Sequence, residues 1–123
     1  MSADEYEMAA SQPYQTIGPA EAKELMARGA HVIDVRWPTE WQQGHIPGAT
    51  LLPLSGIYAF GQALRELPLS PSQEVIFVCA VGQRSAIAAE IASLLGFQQV
   101  YNLASGMHGW LLSGYPVEQA SSS

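Results

Sequence analysis

Residues 75–85 read VIFVCAVGQRS. The first four are apolar and mostly β-branched, which predicts a buried strand that ends at Cys79. The next residues include a glycine, and a helix is predicted over residues 85–95, with Gly96 as its stop. A strand, a short loop and a helix in this order are typical of a parallel α/β sheet.

The same alternation continues on both sides of that stretch. Apolar runs predict further strands at residues 14–17, 32–35, 49–52 and 100–101. Helical spacing or a leading proline predicts helices over residues 19–27, 38–43, 57–67 and 107–112. The fold class is therefore predicted to be α/β, with an open parallel sheet of about five strands flanked by helices. In helix 85–95 we expect an apolar stripe to pack against the sheet, formed by Ile87, Ile91, Leu94 and Leu95.

The length of 123 residues fits a single domain. Hydrophobic residues make up 48% of the chain and charged residues 13%, a balance that excludes a disordered chain and a coiled coil. Residues 1–12 are acidic and have no apolar period, and the chain ends in a serine run. We therefore expect a domain over residues 13–117, with flexible tails at residues 1–12 and 118–123.

Charge and cysteine content narrow the classes of function. Five basic residues against eleven acidic ones give a net charge of −6, so no nucleic-acid partner is expected. The single cysteine excludes an internal disulfide and a cysteine-cluster zinc site and fits a reducing compartment, which predicts a cytoplasmic protein. Three scattered histidines predict no metal site. We expect no signal peptide, because residues 1–12 carry no basic residue and no apolar run, and no membrane association, because no apolar run of 18 or more residues occurs.

Cys79 directly follows the most clearly predicted strand, at the carboxyl end where parallel sheets place their ligands. The loop after it contains Gly82 and leads into a helix, so successive backbone N–H groups can form a nest for an anion. Arg84 adds a positive charge at the start of that helix. Helix N-termini and neighbouring cations lower the pKa of a cysteine, so we interpret Cys79 as a nucleophile or sulfur carrier. The alternative is a small buried hydrophobe, which would leave Arg84 at this spacing without a purpose.

Two stretches, taken in order, resemble a known family. Residues 32–36 (VIDVR), 40–41 (EW) and 44–49 (GHIPGA) are similar to the pattern DVR…EY…GHIPGA of the rhodaneses, a family of sulfurtransferases. Residues 77–110, FVCAVGQRSAIAAEIASLLGFQQVYNLASGMHGW, resemble the active-site loop of that family, its following helix and its closing segment. From about Tyr14 to Val117 the chain therefore resembles a single-domain rhodanese.

The resemblance implies a rhodanese-like fold in which Cys79 cycles between a thiolate and a persulfide. The thiolate would take a sulfane sulfur from a donor such as thiosulfate or a persulfide and pass it to cyanide or a thiol. A sulfur-relay protein is a further candidate partner, and no metal or organic cofactor is needed. Arg84 would fix the loop and the donor anion. The persulfide would be bound by the loop residues Ala80, Val81, Gly82, Gln83, Arg84 and Ser85.

This chain departs from the family pattern directly after the cysteine. Many rhodaneses have an arginine or lysine there, where this chain has Ala80. We therefore expect thiosulfate to be a poor donor and a larger or less anionic persulfide to be a better one. Asp34 and Arg36 end a strand at the same sheet edge as Cys79, and we expect them to form a supporting network with Glu40. Direct anion binding by Arg36 is the alternative.

Two other functions remain open at this point. A related cysteine phosphatase also cradles an anion, but those loops have the spacing C-x5-R, whereas Cys79 and Arg84 have the spacing C-x4-R. The shorter loop suits a sulfur atom and is too tight for a phosphoryl group. A non-catalytic binding module on the same fold is the third class, for which loss of the cysteine would be the sign.

Overall fold

The computed structural model describes residues 13–119, so the predicted tail at residues 1–12 and also residues 120–123 lie outside the described part of the chain. The strands are β1 (Gln15–Ile17), β2 (His31–Asp34), β3 (Thr50–Leu51), β4 (Glu74–Val78) and β5 (Gln99–Leu103). The helices are α1 (Pro19–Ala27), α2 (Pro38–Gln43), α3 (Ile57–Glu66), α4 (Gln83–Leu94) and α5 (Gly106–Leu112). Strands and helices therefore alternate in the predicted order.

The strands form one parallel sheet in the order β1-β5-β4-β2-β3. This confirms the predicted open parallel sheet flanked by helices. Strand β4 lies in the middle, with Asp34 of β2 opposite Val78 and Asn102 of β5 opposite Phe77. Because parallel strands end at one edge of the sheet, Cys79 leaves the sheet between the ends of β2 and β5.

Strand β4 is buried because helices cover both faces of the sheet. On one face Val75 and Phe77 pack with residues of α3 and α4, including Phe60. On the other face Ile76 and Val78 pack with residues of α1 and α5. Burial on both faces accounts for the continuous apolar run of this strand, which shows no alternation with polar residues.

Helix α4 packs against the sheet mainly through small side chains and through only half of the predicted apolar stripe, since Ile91 is buried and Leu95 packs against the core. Ala88, Ala89 and Ala92 are fully buried, whereas Ile87 is 44% exposed and Leu94 is 87% exposed. The prediction that Ile87 and Leu94 belong to the core was therefore wrong. Small and large side chains follow the same helical period in this segment, and the row of small ones lets the helix lie close to the sheet.

The segment after α5 returns to the loop before β3. His45 and Glu118 exchange two backbone hydrogen bonds of 2.9 Å in an isolated antiparallel bridge. The indole N–H of Trp110 donates to the carbonyl oxygen of Pro116 at 2.8 Å. Paired structure therefore continues past the domain boundary predicted at Val117. Among residues 13–119, no helix has the length and apolar character needed to cross a membrane.

Candidate active site

The side chain of Cys79 is enclosed by the loop that follows it. Only 1% of the residue is exposed, and its Sγ atom accepts hydrogen bonds from the backbone N–H groups of Gly82 at 3.1 Å and Ser85 at 3.4 Å. The Ser85 hydroxyl oxygen lies 3.3 Å from the same sulfur. The loop therefore surrounds one sulfur atom with several donors, as the predicted anion nest requires.

Gly82 gives the loop its shape. Its φ angle of +93° lies in the left-handed region, and it precedes α4 as the N-cap. A Cβ atom at this position would overlap with the carbonyl oxygen of Ala104, so the close approach of two backbones also requires glycine. The helix consequently begins at Gln83, two residues earlier than predicted, and its first turn faces Cys79.

The start of α5 holds the other side of the loop. The N–H of Met107 donates to the carbonyl of Cys79 at 2.8 Å, and the N–H of His108 donates to the carbonyl of Ala80 at 3.1 Å. Gly106, with a φ of +59°, allows this approach because a Cβ there would collide with both carbonyl groups. The loop carbonyls therefore bond to α5 while loop N–H groups face the sulfur.

The hydrogen bonds outweigh burial in setting the ionisation of Cys79. Burial raises the pKa of this thiol, but hydrogen bonds from the Ser85 side chain and from the backbone of Ser85, Gly82 and Val81 lower it, and the net pKa is lowered. The backbone N–H groups stabilise negative charge on sulfur, and the Ser85 hydroxyl does so when its hydrogen points toward Sγ. The predicted direction of the shift follows from the geometry of the loop.

Arg84 forms an ion pair with Glu40 of α2. Its Nη1 donates to Oε1 at 2.8 Å and its Nη2 donates to Oε2 at 3.0 Å. Hydrogen bonding to Arg84 is the main cause that lowers the pKa of Glu40 to about 2. The pair ties the first turn of α4 to α2, in keeping with the predicted role of Arg84 in fixing the loop. It also means that the charge of Arg84 is already paired.

Asp34 and Arg36 form a separate buried pair at the end of β2. Arg36 Nε donates to Asp34 Oδ1 at 2.9 Å and Nη2 donates to Oδ2 at 2.8 Å, with the two side chains 7% and 0% exposed. Arg36 also donates to the carbonyl of Gly44 at 2.8 Å, which fixes the turn after α2. Glu40 bonds to Arg84 instead, so its predicted membership in this network was wrong. Both residues of the pair hold the chain around α2.

Comparisons with known proteins identify the family of this chain. A protein-family model described as the rhodanese-like domain matches residues 18–113 of this chain. The chain belongs to the rhodanese-like sulfurtransferase family. It is 33% identical over 112 residues to a thiosulfate sulfurtransferase (GlpE) of Pseudomonas aeruginosa, covering 90% of this chain and 96% of that protein. It is 30% identical to a putative sulfur carrier protein (YrkF) of Bacillus subtilis, covering 85% of this chain and 54% of that protein.

Solved rhodanese structures share the fold. A rhodanese-related protein of Thermoplasma volcanium is 32% identical and superposes with a TM-score of 0.70, covering 87% of this chain and 100% of that one. The polysulfide-sulfur transferase homodimer of Wolinella succinogenes is 27% identical with a TM-score of 0.73, covering 94% and 85% of the two chains. These structures place the sheet and its helices within a known architecture.

Asn102, which the sequence patterns did not single out, also contacts the loop that follows Cys79. Asn102 is 5% exposed on β5. Its Oδ1 accepts a hydrogen bond from the Ser85 hydroxyl at 2.6 Å, and its Nδ2 donates to the carbonyl of Gly82 at 3.2 Å. The available signal was a polar residue inside an apolar strand, at the same sheet edge as Cys79.

The loop side chains that face outward carry no charge before Arg84. Val81 is 59% exposed, Gln83 is exposed and Ala80 is half-buried. Among residues 13–119, no three His, Cys, Asp or Glu side chains lie close enough together to hold a metal ion. What the site offers a substrate is a thiol surrounded by backbone donors, with a neutral rim.

Proposed function

We propose that the chain is a sulfurtransferase that carries a sulfane sulfur as a persulfide of Cys79. The observation that supports this most directly is the position of Sγ, which accepts N–H groups from both Gly82 and Ser85. Donors fixed in advance stabilise a charged sulfur without reorganisation during the reaction. They stabilise the thiolate that starts each cycle of transfer and is regenerated at its end.

In the first half of the proposed reaction, the Cys79 thiolate attacks the outer sulfur of the donor. With thiosulfate, the S–S bond of the donor breaks, sulfite leaves with the bonding electrons, and a Cys79 persulfide forms. With an organic persulfide donor, the leaving group is a thiolate. The backbone of Ala80 to Ser85 surrounds the charged product, and covalent catalysis thereby divides one transfer into two steps.

In the second half, an acceptor nucleophile attacks the terminal sulfur of the persulfide. Cyanide leaves as thiocyanate, and a thiolate acceptor leaves as a new persulfide. The bonding electrons return to Sγ, which regenerates the thiolate. Such chemistry needs a cysteine that stays reduced between turnovers, which suits a cytoplasmic location. A sulfur-relay protein with an exposed thiolate would serve as the acceptor by the same step.

The rim of the site favours a donor with little negative charge. Ala80 supplies no cation, and Arg84 is already bonded through both terminal nitrogens to Glu40. Thiosulfate, a dianion, would meet mainly backbone N–H groups. We therefore propose an organic persulfide as the better donor, and thiosulfate as a slow one.

Intact mass spectrometry tests the carrier role directly. The protein is measured before donor, after thiosulfate or an organic persulfide, and again after cyanide. Because the chain has one cysteine, a gain of one sulfur atom that cyanide removes identifies Cys79 as the carrier. The Cys79→Ser variant is the control and should gain nothing. Absence of the gain with both donors would contradict the proposal and favour a non-catalytic binding module.

A gain-of-function pair tests the donor preference. Ala80→Arg places a cation beside the sulfur and should raise kcat/KM for thiosulfate severalfold while changing the rate with an organic persulfide little. Gln62→Arg on α3 adds the same charge away from the site and should change neither rate. Equal effects of the two variants would show that net charge, and not the rim of the loop, controls donor choice.

A further inference from the structure

The hydrogen bonds of Asn102 point to a control on Cys79 that lies outside the loop itself. The Asn102 amide reaches Ser85 at one end and Gly82 at the other, and both of these residues contact the sulfur. We propose that Asn102 is a positioning residue that sets the direction of the hydrogen bond between Cys79 and Ser85. It acts through the hydroxyl hydrogen of Ser85.

The orientation of the Asn102 amide is fixed by Gly82. The carbonyl oxygen of Gly82 can only accept a hydrogen bond, so the amide group 3.2 Å away must be the donor Nδ2. Oδ1 then faces the Ser85 hydroxyl at 2.6 Å. Since Oδ1 can only accept, the hydroxyl must donate to it.

A serine hydroxyl has one hydrogen to give. When that hydrogen is given to Asn102, the Ser85 oxygen can act toward Cys79 only as an acceptor. This arrangement matches a protonated Cys79, whose S–H donates across the 3.3 Å contact. The chain of bonds then runs in one direction, from Cys79 through Ser85 to Asn102.

When Cys79 is a thiolate, the hydrogen bond between Cys79 and Ser85 must reverse its direction. It has no hydrogen to donate, so Ser85 stabilises it only if the hydroxyl hydrogen turns from Asn102 toward Sγ. That turn leaves Oδ1 of Asn102 without its donor, at a buried position where an unpaired acceptor is costly. Asn102 therefore favours the protonated thiol, and it opposes the backbone N–H groups that favour the thiolate.

The consequence for turnover rests on the proposed function. In the persulfide the charge lies on the outer sulfur, so Sγ is neutral and the Ser85 hydroxyl is free to return to Asn102. Asn102 thus favours the two states in which Sγ is uncharged and makes the intervening thiolate more reactive toward the donor. We therefore expect Asn102 to lower the fraction of Cys79 that is present as thiolate at a given pH.

The other ionisable groups around the loop stay unchanged in the test below. They are Arg84 of α4 with its partner Glu40 of α2, the Asp34–Arg36 pair at the end of β2, and the exposed His108 of α5. On β5 itself, the Tyr101 hydroxyl donates to Glu74. A change in Cys79 ionisation on substituting Asn102 or Ser85 is therefore attributed to the bonds between them.

Alkylation of Cys79 by iodoacetamide as a function of pH measures its ionisation, because the chain has no other cysteine. Asn102→Leu, which is close in volume, should lower the midpoint by about half to one pH unit, the size of one hydrogen bond. In the Ser85→Ala background the same substitution should leave the midpoint unchanged. An upward shift, or an equal downward shift in both backgrounds, would overturn the proposal.

A second measurement leaves position 102 intact, so it does not depend on that variant folding. The side-chain amide resonances of Asn102 in ¹⁵N spectra should move with the same midpoint as alkylation, and this movement should vanish in Ser85→Ala. The side-chain amide of Gln99, at the other end of β5, is the control. Resonances that stay still, or move equally without the hydroxyl, would contradict the proposal. Neither measurement uses a sulfur donor, so its outcome is independent of whether sulfur transfer occurs.

Discussion

Replacing Glu40 by glutamine removes one charge from the ion pair that joins the first turn of α4 to α2. Hydrogen bonding to Arg84 lowers the pKa of Glu40 from 4.5 to about 2. That difference corresponds to roughly 3 kcal/mol of interaction between the folded protein and the charged carboxylate. Because about a third of each side chain is exposed to solvent, we expect Glu40→Gln to lower the free energy of unfolding by about half of that, or 1–2 kcal/mol.

The pH dependence of this loss has a definite sign. A carboxylate whose pKa is lowered in the folded state stabilises the fold fully above its unfolded pKa of 4.5, and this contribution disappears as the pH falls toward 2. Urea unfolding of the wild type and Glu40→Gln should therefore differ at pH 7, differ less at pH 3.5 and converge near pH 2. Circular dichroism at each pH gives the two free energies.

The control for Glu40→Gln is Glu66→Gln at the exposed end of α3, which removes the same charge away from Arg84. It should change stability little at any pH. A difference between wild type and Glu40→Gln that is the same at pH 7 and near pH 2 would refute the ion pair as the cause. Glu40→Gln also releases Arg84, so kcat/KM for thiosulfate should rise, whereas Glu66→Gln should leave it unchanged.

Two further substitutions test the packing around the site. Gly82→Ala should abolish sulfur loading and lower stability by about 2 kcal/mol or more, because the new Cβ meets the Ala104 carbonyl. The control is Gly29→Ala, because Gly29 has a similar positive φ but open space around it. This variant should keep full sulfur loading, so it separates the effect of backbone strain from the effect of the collision with Ala104. Asp34→Asn should cost about 3 kcal/mol in urea unfolding by leaving buried Arg36 without its counter-charge; a loss below about 1 kcal/mol would show that the pair is dispensable.

The parts of the fold that sequence predicts well are those governed by neighbouring residues. Residues 75–78 form a buried strand because an apolar run of that length is satisfied between two layers of helices. The loop around Cys79 was predicted for a similar reason, since Gly82 and the start of the helix follow within a few residues. The residues next to Cys79 in the sequence were sufficient to predict a thiol surrounded by backbone donors.

Features that depend on distant residues were not predicted. Glu40 lies 44 residues from Arg84, and the two side chains meet only because β2 and β4, the strands that precede their helices, pair side by side. Asn102 lies 17 residues from Ser85, and it reaches the loop only because β5 pairs beside β4. In α4 the rows of small and large residues have the same period, so periodicity alone did not select the row that faces the sheet.

The fixed backbone of the Cys79 loop separates two properties of the site. Its main chain is held by the first turn of α5, by Ala104 and by Asn102, which leaves little freedom to change the cradle around the sulfur. The side chains of Val81 and Gln83 are exposed and that of Ala80 is half-buried, and none of the three makes a hydrogen bond that holds this framework. Under the proposed function, substitutions at these three positions would redirect sulfur transfer toward another donor while the Cys79 chemistry stays intact, so that substrate range diversifies faster than mechanism.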